Sequence, residues 1–126
     1  MVGMVACGSK VDHEAMKDKV LDAHDEVMPK MGQLVKLKKQ VLAKANELDS
    51  ASVEASELKS LATDLENAYQ GMMSWMHDWS DKSGPFVNGE AKSDEITAFY
   101  EAEQKKVDKV KSDINASIAK AEKVLQ

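Results

Sequence analysis

At 126 residues and 13.8 kDa the chain has material for one ordinary domain and none for a second core. With 43% hydrophobic and 31% charged residues it is a folding sequence, and with 5% aromatics and two prolines it lacks the aromatic strands and frequent turns of a sandwich or barrel. Its 17 basic residues are all lysine, outnumbered by 22 acids for a net charge of −5, which sets nucleic acid aside as a partner: arginine's planar fork is the usual reader of guanine and phosphate, and an acidic chain does not neutralise a phosphate backbone.

The single cysteine, Cys7, rules out an internal disulfide and any CxxC motif, including the CxxCH of attached haem. Its setting, Met4-Val5-Ala6-Cys7-Gly8-Ser9, resembles a bacterial lipobox. That resemblance implies cleavage before Cys7, lipid modification of its thiol and a membrane anchor on the periplasmic side of the cell envelope. Six uncharged residues precede Cys7, fewer than a basic start and an apolar stretch of about 7–15 residues require. If Met1 is the true start, the expectation becomes a cytoplasmic protein. No later run approaches the ~20 apolar residues of a membrane span.

Three long segments carry an apolar stripe in alternating steps of three and four, the seam of a packed helix. In the first, about 11–48, the stripe runs Val20, His24, Val27/Met28, Met31, Leu34/Val35, Val41/Leu42, Ala45, Leu48. The second, about 52–80, runs Leu58, Leu61, Leu65, Ala68, Met72, Trp75/Met76, Trp79. The third, about 94–125, runs Ile96, Phe99/Tyr100, Glu103, Val107, Val110, Ile114, Ser117/Ile118, Ala121, Val124/Leu125. Pro29 and Gly32 interrupt the first segment, where the missing Pro29 N–H predicts a kink.

The short break at 48–52 predicts a tight reversal between helices one and two. The longer break at 80–93 holds Ser83-Gly84-Pro85 and Asn88-Gly89, both turn signals. Ser93 or Asp94 is expected to cap the third helix. The result is an all-α, elongated, antiparallel up-down-up three-helix bundle with coiled-coil-like packing, in helices about 45 Å long. Charge agrees: Lys30, Lys36, Lys38, Lys39 and Lys44 face a half of helix two that carries Glu54, Glu57, Asp64 and Glu66 against Lys59. A monomer and a dimer both remain open.

Five of the eight methionines fall in two clusters, His24-x-x-x-Met28-x-x-Met31 and Met72-Met73-x-x-Met76-His77. A reversal at about residue 50 makes facing positions sum to about 100, which sets His24 opposite Met76 and Met28 opposite Met72. Phe99, Tyr100, Glu103, Trp75 and Trp79 reach the same level. Thioether sulfur with imidazole selects Cu(I) over hard cations, and an indole face shields a bound cation. The metal-ligand set on register is His24, Met28, Met72 and Met76, with Met31, Met73 and His77 as alternates. The competing reading is packing, since methionine fills irregular core gaps, above all beside a proline.

Catalytic motifs fail on spacing. His13-Glu14-x-x-Lys17 puts a lysine where a zinc protease has its second histidine. Gly84-x-x-x-x-Gly89-Glu90 lacks the phosphate-loop lysine, and His24-Asp25-Glu26 points three ways around a helix and is not expected to converge. Glu103, in the seam of helix three, is the one odd carboxylate, either reaching solvent or serving His24, His77 or Tyr100 as a buried acid. No nucleophile accompanies it, and the expectation is a non-enzyme.

The string His24-Asp25-Glu26-Val27-Met28-Pro29-Lys30-Met31-Gly32, with Met72-Met73-x-Trp75-Met76 and the Cys7 lipobox, resembles a group of uncharacterised small envelope lipoproteins of Gram-negative bacteria. These sometimes carry the automatic label "viral A-type inclusion protein". The likeness runs along nearly the whole chain and implies a lipid-anchored periplasmic helical bundle, but no activity. Two functions follow: a structural or interaction module that meets another, unidentified envelope protein, or a Cu(I) carrier.

Overall fold

A computed structural model describes residues 11–126, and among them every regular element is helical. Asp12 opens the first helix, α1 (His13–Val27), its carboxylate accepting the Ala15 N–H at 3.0 Å. Met28–Lys30 form a single 3-10 turn, and α2 (Met31–Asn46) continues from it. Ser52 then caps α3 (Val53–Lys82), its hydroxyl oxygen accepting the Ala55 N–H at 3.1 Å. A four-residue helix, α4 (Gly84–Val87), precedes α5 (Ser93–Val124).

The first segment, expected as one helix kinked at Pro29, is instead two helices joined by a 3-10 turn. Proline has no N–H to return to the Asp25 carbonyl, and its ring crowds the preceding turn, so the ladder gives way locally. The break is brief: the Met28 N–H still reaches the His24 carbonyl, and the Met31 N–H bonds to the Met28 carbonyl. The described residues therefore hold four helices of 15 residues or more, with α4 as an extra turn.

The first segment's core runs Val20, Ala23, Val27, Met31, Leu34, Leu37, Val41, Ala45. Ala23 and Leu37 stand in it where His24 and Val35 were expected, and Val35 is exposed. Steps of four at 23–31 and two steps of three at 31–37 carry the stripe across the tighter 3-10 turn. The α3 seam is Ala55, Leu58, Leu61/Ala62, Leu65, Ala68, Met72, Trp75, and α5 buries Ile96, Tyr100, Glu103, Val107, Ile114, Ser117/Ile118 and Ala121. Apart from Ala55, Glu103 and Ser117, these side chains close into one core.

Polar contacts mark how the helices meet. Lys38 Nζ lies 2.9 Å from Glu66 Oε1, joining the lysine-rich stretch to the acidic half of α3 as the charge pattern required. On the other side, His13 meets Thr97, Lys111 meets Glu26 at 2.7 Å, and Lys30 donates to Asn115 at 2.6 Å. Helix α2 lies close against α3 along much of its length; α1 lies close against α5 but stands off from α3. Interaxial distance follows the side chains between two helices, and here those are His24, Trp75 and Met76.

The α4 region differs from an open connection. Pro85 occupies the first turn of α4, where its missing N–H costs nothing. Gly89 has φ +74°, the left-handed conformation that suits glycine. The third helix starts at Ser93 with Lys92 at the N-cap, and Glu95 reaches back to accept the Lys92 N–H at 3.0 Å, so neither Ser93 nor Asp94 is the cap.

Candidate functional site

The wide end of the core, where α1 stands off from α3, holds the imidazole and indole side chains. His24 projects from the last turn of α1, with 21% of its side chain exposed. Its Nε2 lies 3.0 Å from Met76 Sδ on α3, the pairing expected from a reversal near residue 50. Its Nδ1 lies 3.0 Å from Asp25 Oδ1. Adjacent helical residues point about 100° apart, yet this ring and carboxylate meet at the helix edge, so that part of the non-convergence expectation is corrected. Glu26 does turn away, to Lys111 on α5, and the Lys111 hydrogen bond holds its carboxyl below the ordinary value.

An ionised Asp25 can only accept, so Nδ1 is the donor of that contact. In a neutral imidazole this leaves Nε2 as a bare lone pair directed at the Met76 sulfur.

Trp75 is 5% exposed, and its ring lies 5.8 Å from the His24 ring at an interplanar angle of 36°. Its Nε1 is buried without a hydrogen-bond partner. From Trp75 the aromatic contacts continue to Trp79 at 5.4 Å, then to Phe99 at 5.6 Å and Tyr100 at 6.2 Å. Phe86 closes the series, stacked on Phe99 at 4.0 Å, so this residue of the 82–92 connection folds back on the helices while Val87 stays exposed. Burial pushes the Tyr100 phenol above its ordinary value, with Lys17 opposing and Glu14 adding to the shift.

The remaining sulfurs divide by face. Met72, one turn from Met76, is fully buried; Met31 is buried; Met28 is half-buried and packed on the core. Met73 is 41% exposed, and the His77 side chain is 76% exposed with Asp81 3.5 Å from its Nε2. A single step of about 100° from Met72 and from Met76 carries both outward, which removes these two alternates from the cluster. Glu103 is buried in α5 and accepts from Lys106 Nζ at 3.1 Å, so its partner is a lysine one turn along its own helix. Cys7 lies outside the described residues.

Seam spacing reports neither a residue on the helix edge, such as Asp25, nor a donor inside an apolar ring, such as Trp75 Nε1. Among the described residues no three His, Cys, Asp or Glu side chains come together. A cleft of about 440 Å³ lies at the far end between Lys44, Leu58, Leu61, Lys120 and Val124, and another borders Phe86 and Phe99. No helix among the described residues is long and apolar enough to cross a membrane. Comparison with protein-family models, curated proteins and solved structures gave no match.

Proposed function

We propose that the protein is a non-enzymatic helical-bundle module of the bacterial envelope, held on the periplasmic side by lipid on Cys7 and acting as a structural or interaction element for another envelope protein. In this reading α1 and α2 count as one bent rod, and the bundle is three elongated rods running up, down and up. The pairings support it: partners of the first rod on α3 fall as its own numbers rise (24 with 76, 38 with 66), while partners on α5 rise with it (13 with 97, 26 with 111, 30 with 115).

The observation that carries the functional reading is the continuity of the core. The seams of α1, α2, α3 and α5 bury one another from Val20 to Ala121, and some of the charged groups outside them meet as pairs that join or brace helices, such as Lys38–Glu66, Lys111–Glu26 and Lys109–Asp113. Side chains arranged so favour one rigid elongated shape, which suits presentation of helix faces to a partner from a tether. The lipobox-like string at Cys7 supports the anchor.

Mass spectrometry of the N-terminus of protein extracted from membranes tests the anchor. The expected species begins at a diacylglyceryl-modified Cys7; an unmodified Met1 overturns the envelope assignment.

A further inference from the structure

We propose that His24 Nε2 and Met76 Sδ, walled by the indole of Trp75, form a binding site for one soft monovalent cation, Cu(I). The site goes beyond the scaffold reading and does not depend on it.

Four features converge. Two soft donors from different helices face each other at 3.0 Å. With Nδ1–H given to Asp25, a neutral ring leaves lone pairs on both atoms; at 3.0 Å no cation fits between them, so binding requires the flexible Met76 chain to swing its sulfur aside and open the pair. Asp25 thus acts as the outer partner that fixes the tautomer and aims the ring. The donor pair is imidazole and thioether with no carboxylate, a chemistry that prefers Cu(I) to Zn(II), Mg(II) or Ca(II).

The third feature is the wall. Trp75 is buried, stacks with Trp79 at 5.4 Å, and its ring centre lies 5.8 Å from that of the imidazole, so the indole borders the donor pair; an indole attracts a cation that comes within ~6 Å of its face once water is excluded. An indole wall also keeps water from completing a higher coordination shell, which favours the low-coordinate monovalent ion. The fourth is reserve sulfur. Met28 and Met72 each lie four residues from a donor, His24 and Met76 respectively, and the flexible thioether chain lets one of them supply a third ligand. The site sits at the edge of the core, where His24 and Met76 are both half-buried and within reach of solvent.

The experiment uses the full chain carrying Cys7→Ser, so that the thiol does not compete, and Trp79→Phe, so that Trp75 is the only indole. Cu(I) is titrated without oxygen against a chromophoric Cu(I) chelator, with Trp75 fluorescence and methyl NMR of the methionines recorded alongside. Expected are a one-to-one complex, quenched Trp75 emission, and a shifted Met76 methyl signal with the exposed Met73 signal unmoved. His24→Gln and Met76→Leu each weaken binding by about tenfold or more, and Asp25→Asn weakens it less.

Circular dichroism confirms that each variant folds, and the NMR arm needs no variant at the site. Absence of a one-to-one complex overturns the site, as does a complex that leaves Met76 unshifted or persists in His24→Gln. Binding with unchanged Trp75 emission overturns the indole wall and leaves the donor pair standing. An imidazole that instead donates Nε2–H to the sulfur would give no complex, which overturns the site.

Discussion

Replacing Met72 by alanine separates what this side chain does by volume from what it does by sulfur. Met72 is fully buried in α3, a turn below Met76. The alanine variant loses three heavy atoms beyond Cβ, and at about 0.8 kcal/mol per buried group the transfer loss is about 2–2.5 kcal/mol. A rigid core closes only partly over the gap, and the remaining cavity raises the total to about 3–4 kcal/mol. For a chain of this size that is a drop in Tm of roughly 12–16 °C. Met72→Leu keeps nearly the same volume and should cost less than about 1.5 kcal/mol. Urea denaturation followed by circular dichroism gives both numbers, with an unchanged slope as evidence that the two end states are comparable. A loss under about 1 kcal/mol for alanine would refute the packing assigned to Met72. A leucine variant as unstable as the alanine one would show that sulfur itself stabilises the metal-free fold.

The caps are independent of the core: Ser52→Ala and Asp12→Ala, each removing the acceptor of one helix-opening N–H, should cost about 1 kcal/mol apiece and add when combined, as thermal melts will show. Gly71→Ala should stabilise by about 0.5–1 kcal/mol, since a new Cβ would sit 3.8 Å from Val110 Cγ2 in ordinary contact and glycine is a poor helix former; a lower Tm would mean that α3 and α5 lie closer there than described. Glu26 and Glu66 have carboxyl groups held below the ordinary range, the first by Lys111 and the second by Gln70 and Lys38. A depressed folded-state value means stability that is present above the ordinary carboxylate range and is lost as pH falls through the lowered one. The acid limb of a stability–pH profile should therefore flatten in Glu26→Gln and Glu66→Gln, and because Glu26 is exposed and Glu66 only half-buried the effect should shrink in high salt.

How far the fold can be read from the chain depends on whether a segment has one periodicity or two. The seams of α3 and α5 are uninterrupted, and the seam residues expected from spacing, Leu58 to Met72 and Ile96 to Ala121, match the buried positions nearly throughout. Pro29 announces a disturbance, but a missing N–H is compatible with a kink, a bulge or a tighter turn. Which of these forms depends on how the next stripe must land, here on Leu37 rather than Val35. At 83–89 the turn residues are plain, while the single helical turn of α4 is accompanied by Phe86 stacking on Phe99 in α5, a contact that turn signals do not report. The His24–Met76 pairing followed from simple reversal arithmetic. Spacing also brought Trp75 and Trp79 to that level without saying which indole meets His24, and it left out the role of Asp25, which depends on a side-chain direction.

The 3-10 turn at Met28–Lys30 has a further consequence for how the molecule breathes. The Asp25 carbonyl, deprived of the proline amide, is a gap in an otherwise continuous backbone ladder, and α1 rests chiefly on α5 whereas α2 rests on α3. Opening that starts in α1 can therefore stop at the gap instead of running on into α2. Amide protons of α1 should then exchange as a block of their own, ahead of those in α2 and the first half of α3. The molecule would hold one end steady while the other loosens and closes again.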